Sequence, residues 1–189
     1  MDALPENKRF TYSDYLTWDN HTRYELIDGI PYMMAPPSSR HQRIVGELHG
    51  QLWQFLKGKP CKVFLSPFGV RLNADSGDDH VVEPDIVVVC DKTKIDDRGC
   101  VGAPDLIIEV LSASNEAHDT VVKFNKYLWA GVREYWIVNP YSRSLSVHIL
   151  RDGEYMTRAY LDTDAASASI PVHVLDGCAI NMADVFAEQ

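Results

Sequence analysis

Two short apolar segments constrain the fold of this chain more than any other feature of its sequence. Ile86 to Cys90 is apolar throughout, and Leu106 to Leu111 is interrupted only by Glu109. Continuous apolar runs of this length are typical of central β-strands that are covered on both faces. The sequence therefore predicts a sheet whose middle strands are buried.

The elements around these two runs predict a mixed sheet. A helix is expected from about Glu116 to Ala130, closed by Gly131, and a strand from Glu134 to Val138 follows it. A strand, a helix and a second strand in that order imply a parallel pair with a right-handed crossover. Hairpins around Asp28-Gly29 and Asp152-Gly153 imply antiparallel pairs. The expected fold class is α/β with α+β character, a central mixed β-sheet flanked by helices.

Weaker signals predict the remaining elements. They are a capping box at Thr11 to Asp14, a helix capped by Ser38 or Ser39 with an apolar face of Ile44, Leu48, Leu52 and Phe55, strands near Val63 and Val70, a loop from Asn73 to His80, a strand near Val172 and a helix from Met182 to Phe186. The length of 189 residues fits one domain spanning 1–189. The start of the chain lacks the pattern of a secretory signal, and no apolar run could span a bilayer, so a cytoplasmic protein without a membrane partner is expected.

The four cysteines do not form a recognisable motif. Cys61, Cys90, Cys100 and Cys178 are widely spaced and include no CxxC pair. We therefore expect neither a zinc site nor a disulfide framework, and we expect buried thiols.

The net charge of −9 opposes binding to a polyanion. Local basic patches could still attract a nucleic acid, for instance Arg40 with Arg43, or Lys123 with Lys126. Bound divalent cations would also offset negative charge at a site.

Two carboxylates stand beside or inside the apolar runs. Glu109 lies within one predicted strand, where an unpaired carboxylate would be costly to desolvate, and Asp85 directly precedes the other strand after Pro84. Carboxylates on adjacent central strands supply the hard oxygen ligands that magnesium or manganese prefers. The alternatives are a structural Glu109 paired with an arginine and a turn or cap role for Asp85.

Several short motifs accompany these carboxylates in a characteristic order. They are Tyr24 to Gly29, His41, Glu83-Pro84-Asp85, Pro104 to Ser112, Asp119, Lys123, Tyr127 and Gly131 to Val138. In this order and spacing, residues 10 to 175 of the chain resemble the Uma-type family, whose members are assigned as restriction endonucleases largely from fold and motif. The resemblance implies the PD-(D/E)XK nuclease fold, with a restriction-endonuclease-like sheet.

The resemblance places the catalytic set at Asp85, Glu109 and Lys123, with Asp85 and Glu109 as ligands of Mg²⁺ or Mn²⁺. The lysine of the PD-(D/E)XK motif is expected at position 111, which is leucine here, and the family pattern implies that Lys123 on the following helix replaces it. We expect Lys123 and Tyr127 to flank an apolar stripe of Val121, Phe124 and Leu128, with Lys126 pointing outward. The alternative is a solvated Lys123 paired with Asp119.

Three further residues match family positions. Glu25 is expected to add a carboxylate to the metal site, His41 to hold a phosphate or a metal-bound water, and Tyr127 to be auxiliary; for Glu25 and His41 a local structural hydrogen bond is the alternative. Ala113 departs from the family pattern, which has proline there.

The expected function is metal-dependent hydrolysis of phosphodiester bonds in nucleic acid, with DNA as the first candidate and a homodimer as a candidate assembly. Two alternatives stay open. One is a nuclease fold that binds nucleic acid without cleaving it, and the other is a structural homo-oligomeric protein whose carboxylates close a salt-bridge network.

Overall fold

Two six-stranded mixed sheets and a two-stranded ribbon carry the β-structure in the part of the chain that the computed structural model describes, residues 8–18, 22–112, 118–164 and 168–187. The strands are β1 (Tyr24–Ile27), β2 (Ile30–Met33), β3 (Lys62–Leu65), β4 (Gly69–Arg71), β5 (Val81–Val82), β6 (Ile86–Val89), β7 (Ile95–Asp96), β8 (Gly99–Val101), β9 (Leu106–Val110), β10 (Glu134–Asn139), β11 (Ser144–Arg151), β12 (Glu154–Leu161), β13 (Ser169–Pro171) and β14 (Ala179–Asn181).

The helices flank these sheets. They are α1 (Tyr12–Tyr15), α2 (Ser39–Leu56), α3 (Phe124–Ala130) and α4 (Met182–Val185), together with a 3₁₀ turn at Lys92–Lys94 and a π-helical turn at His118–Lys123 that leads directly into α3. The start predicted at Glu116 lies outside the described residues, as does Ala113. None of the described helices is both long enough and apolar enough to cross a membrane.

The two apolar runs of the sequence form the middle of the first sheet, which has the strand order β12-β11-β10-β9-β6-β3. β9 runs parallel to β10 and antiparallel to β6, and every residue of β6 and β9 is buried. One face packs against α2 through Ile44, Leu48 and Leu52. The mixed class with flanking helices and the parallel pair are thus confirmed, because central strands between two layers are apolar on both faces.

The opposite face of the first sheet is covered by a second sheet and by α3. The second sheet has the order β2-β1-β5-β4-β8-β7, and its Val70, Val82 and Cys100 share a buried cluster with Val87 and Tyr127. The sequence predicted several of these strands, but it placed them in one sheet with the rest. Apolar patterning shows that a strand has a buried face and does not show which neighbour covers it.

Most predicted turns and caps occur where expected. Thr11 and Asp14 form a reciprocal capping box, and Ser38 caps α2. Asp28 and Gly29 both have positive φ, 52° and 70°, as a two-residue hairpin turn requires. The strand expected near Val172 ends at Pro171, where β13 pairs with β14.

The prediction for the cysteines was half wrong. Cys61 and Cys90 form a disulfide across 29 residues of chain, whereas Cys100 and Cys178 are buried thiols, as expected. Lys62 lies opposite Val89 in the antiparallel pair of β3 with β6, so the next residues outward, Cys61 and Cys90, face each other. Strand register brought together two residues whose separation in the sequence carried no signal.

Candidate active site

The antiparallel register of β6 and β9 builds the candidate active site. Ile86 lies opposite Ile108, so Asp85, one residue before β6, lies beside Glu109 near the end of β9. A cleft of about 100 Å³ opens at this point. Of the residues that the sequence singled out, Glu25, His41, Asp85, Glu109 and Lys123 all line it.

One carboxylate oxygen of Asp85 forms the hydrogen bonds of this side chain with described residues. Its Oδ2 accepts a hydrogen bond of 2.8 Å from the main-chain N–H of Val110, and it lies 3.1 Å from Nε2 of His41. Ser38 caps the helix that carries His41 by accepting the N–H of that residue. No described residue donates a hydrogen bond to the second oxygen, Oδ1, and the Asp85 side chain is 20% exposed. One oxygen of Asp85 is therefore available to a ligand in the cleft.

Lys123 is buried between two carboxylates. Its Nζ lies 2.9 Å from Oε1 of Glu109 and 2.8 Å from Oε1 of Glu25, and its side chain is 4% exposed. The alternative of a solvated lysine is excluded by this burial. The alternative for Glu109 was an ion pair with an arginine. The structure instead shows an ion pair of Glu109 with Lys123.

Tyr127 supports Glu109 from inside the protein. Its hydroxyl donates a hydrogen bond of 2.8 Å to Oε1 of Glu109, and the side chain is fully buried. Burial raises the pKa of Tyr127 well above its ordinary value, and the nearby Glu109 and Glu25 carboxylates raise it further. Tyr127 thus remains a neutral hydrogen-bond donor throughout the ordinary pH range.

The π-helical turn changes the face that the helix presents. Val121, which regular α-helical spacing placed in the apolar stripe, is 59% exposed, whereas Lys123 and Tyr127 both point inward. A π turn advances fewer degrees per residue than an α-helix and so shifts the residues that follow it. Lys126 points outward as expected, with its Nζ 2.6 Å from Oδ1 of Asp28.

The sequence reasoning missed an arginine–glutamate pair at the rim. Arg23 Nε donates a hydrogen bond of 2.9 Å to Oε2 of Glu83, and Tyr15 donates one of 3.1 Å to Oε1 of the same side chain. The main-chain N–H of Glu83 in turn donates to Oε1 of Glu25 at 2.9 Å. Their positions in the sequence could have indicated this pair, since Arg23 and Glu83 each lie two residues before a predicted site carboxylate.

The donor set of the cleft fits a hard divalent cation. Asp85, Glu109 and Glu25 supply carboxylate oxygens, and neither Asp85 Oδ1 nor Glu25 Oε2 accepts a hydrogen bond from any described residue. Four carboxylates and two cations line the cleft, since Glu83 and Arg23 belong to it as well, and this leaves two formal negative charges. In the arrangement seen, no three acidic, histidine or cysteine side chains of the described ranges surround one ion position.

Comparisons with known proteins show which proteins this chain is similar to. Residues 12–183 match the family model Uma2, whose description is "Putative restriction endonuclease". The chain is 28% identical over 155 residues to an uncharacterized protein of Synechocystis sp., and the match covers 80% of each chain. It also resembles the crystal structure of a protein from Anabaena variabilis described as a "putative nuclease belonging to DUF820". That match has a TM-score of 0.75 and 20% identity, and it covers 94% of this chain and 97% of the other. The family match spans nearly the whole sequence, and the chain belongs to the Uma2 family.

Proposed function

We propose that this protein is a metal-dependent endonuclease that hydrolyses phosphodiester bonds of nucleic acid, with DNA as substrate and Mg²⁺ or Mn²⁺ as cofactor. Membership of the Uma2 family supports a nuclease. The observation that carries the proposal is the buried ammonium of Lys123, held 2.9 Å from Glu109 in the cleft that Asp85 also lines.

Leu111 stands where the motif has its lysine, and Lys123 supplies a lysine from another position. Leu111 is 3% exposed and belongs to the buried cluster between the two sheets, so it contributes nothing to the cleft. Lys123 reaches the second acidic residue of the motif from the helix instead. A cation, two acidic groups and a supporting hydroxyl are then available at one point.

Five residues in and behind the cleft have defined tasks in this mechanism. Asp85 and Glu109 would hold the cation, which when bound polarises the phosphate and lowers the pKa of a water. Lys123 donates hydrogen bonds from Nζ and stabilises the charge that develops on the phosphoryl oxygens. Tyr127 orients Glu109, and His41 orients Asp85 through Nε2.

The test is cleavage of supercoiled plasmid at low ionic strength with Mn²⁺ or Mg²⁺. Wild type should nick or linearise the plasmid, and Lys123→Ala should lower the rate by about 100-fold or more, the usual effect of losing one charge-stabilising donor. Lys126→Ala removes a lysine from the same helix that is paired with Asp28 outside the cleft, so it should cleave like wild type.

Controls separate activity from contamination and from misfolding. Glu109→Gln, purified in parallel, should be inactive, and Lys123→Gln, which retains hydrogen-bond donors for Glu25 and Glu109, should be folded by circular dichroism and still slow. Equal cleavage by wild type and the site variants would assign the activity to a contaminant. Metal binding without cleavage of duplex DNA, single-stranded DNA or RNA would favour the non-cleaving binding module. Absence of both would favour the structural homo-oligomer.

A further inference from the structure

A second and larger cleft lies against the first turns of α2. It has a volume of about 680 Å³, and Arg40, Arg43, Arg143 and Tyr141 are among the residues that line it. We call it the arginine cleft. The cleft thus gathers three positive charges in a chain whose net charge is −9.

The charges of Arg40 and Arg43 are not compensated within the described parts of the chain. Arg143 donates a hydrogen bond of 2.8 Å to Asp162, but neither Arg40 nor Arg43 forms an ion pair with any described carboxylate. Arg43 donates only a long hydrogen bond of 3.5 Å to the carbonyl of Val185, and Arg40 lies 5.9 Å above the ring of Tyr141. Both guanidinium groups therefore retain N–H donors for an anion.

The arginine cleft adjoins the catalytic cleft through α2. Arg40 and Arg43 are three residues apart and share one face of the helix, while His41, one of the two residues between them, is buried and contacts Asp85. The two clefts are lined by adjacent residues of α2, so a strand that enters the catalytic cleft has the arginine cleft beside it.

We propose that the arginine cleft binds the sugar–phosphate backbone of the nucleic-acid strand that enters the catalytic cleft, with Arg40 and Arg43 each contacting a phosphate. The chemistry is that of guanidinium, whose planar set of donors matches phosphate oxygens. The assignment of the neighbouring cleft as the site of hydrolysis rests on the proposed function. The affinity of Arg40 and Arg43 for a polyanion does not depend on that function.

The test is binding of a fluorescein-labelled DNA duplex, followed by anisotropy in EDTA over a series of salt concentrations, so that cleavage cannot intervene. For Arg40→Gln/Arg43→Gln we expect affinity to fall at least about tenfold at low salt. The slope of log K against log salt should also become shallower by about 1.8, because each phosphate that the protein no longer neutralises removes about 0.9 from it. The matched control, Arg151→Gln/Arg158→Gln, removes the same charge from exposed positions on the β11–β12 hairpin. It should keep the wild-type slope.

The outcomes separate this inference from the proposed function. A slope that changes only in the Arg40/Arg43 variant supports the arginine cleft even if wild type never cleaves plasmid. Identical slopes for both double variants, in proteins with unchanged melting temperatures, would overturn it even if wild type is an active nuclease. Lack of salt-dependent binding by wild type would overturn it as well. Competition by inorganic phosphate as effective as by the duplex would assign the cleft to a small anion and not to a strand.

Discussion

The charged side chain of Lys123 is almost fully buried, and its neighbours compensate the charge. A buried ion is stabilised only when an opposite charge and hydrogen bonds replace its hydration. Glu25 and Glu109 each place one oxygen within 3 Å of Nζ. Because two carboxylates serve one ammonium and Asp85 adds a third, the cleft keeps an excess of negative charge that a divalent cation would neutralise.

Metal binding follows from this excess and is measured by thermal unfolding. Mn²⁺ or Mg²⁺ should raise the melting temperature, because a ligand that binds only the folded chain stabilises it, by about 2.7 kcal/mol at 100 times its Kd. Glu109→Gln should abolish the increase while Lys123 keeps Glu25 as a partner. Glu154→Gln, which removes an exposed carboxylate of β12, should keep it. An equal increase in Glu109→Gln would remove Glu109 from the metal site.

The second sheet depends on a close approach of two glycines, Gly69 and Gly99. Gly99 in β8 has a φ of 145°, and a Cβ added there would lie 2.0 Å from the carbonyl oxygen of Gly69 in the parallel strand β4. A side chain at this position would separate the two strands. Since β4 also pairs with β5, the disturbance would spread across the sheet.

Gly99→Ala should therefore be far more destabilising than alanine at another glycine of positive φ. Gly58 is the matched control, since its φ is 78° and an added Cβ would meet nothing within 4 Å. Gly58→Ala should cost about 1–2 kcal/mol for the backbone conformation alone, whereas Gly99→Ala should cost at least about 3 kcal/mol because overpacking is added. Urea unfolding of both variants measures the difference, and equal losses would show that β4 and β8 separate without cost.

The strand β11 carries a buried histidine that should make the protein sensitive to acid. His148 packs between the rings of Phe124 and Tyr135, and burial lowers its pKa from 6.5 to about 4. The folded chain keeps His148 neutral, while the unfolded chain binds a proton below pH 6.5. The stabilisation is therefore complete above pH 6.5 and is lost as the pH falls toward 4.

Comparison with a variant isolates the contribution of His148 from those of other groups. His148→Gln retains hydrogen-bonding capacity toward Thr157, which His148 contacts at 2.7 Å through Nδ1. The free energy of unfolding in urea should fall less between pH 7 and pH 4.5 for the variant than for wild type. Parallel losses would place the acid sensitivity elsewhere.

Sequence patterns predicted those features of the fold that depend on local chemistry. Continuous apolar runs identified β6 and β9 because both faces of these strands are covered, and Asp28-Gly29 identified a hairpin because its turn needs positive φ. The second sheet and the Arg23–Glu83 pair could not be predicted in this way, since they depend on which strands become neighbours after folding. The exposure of Val121 was also beyond regular helical spacing, because it depends on a π turn.

The disulfide is a long-range contact with a large expected effect on global stability. Cys61–Cys90 closes a loop of 29 residues and ties β3, at the edge of the first sheet, to β6, which follows Asp85. In the chain-entropy description, a crosslink over such a loop stabilises the folded state by roughly 3–4 kcal/mol, because it restricts the unfolded chain.

Reduction should accordingly lower the stability of wild type to that of Cys61→Ser/Cys90→Ser. Dithiothreitol should decrease the melting temperature of wild type by roughly 10 °C, given about 2–4 °C per kcal/mol for a domain of this size, and should leave the double variant unchanged. Alkylation of the unreduced, denatured protein should modify two thiols, those of Cys100 and Cys178. Four modified thiols, together with a melting temperature indifferent to dithiothreitol, would mean that β3 and β6 are held by their hydrogen bonds and apolar contacts alone.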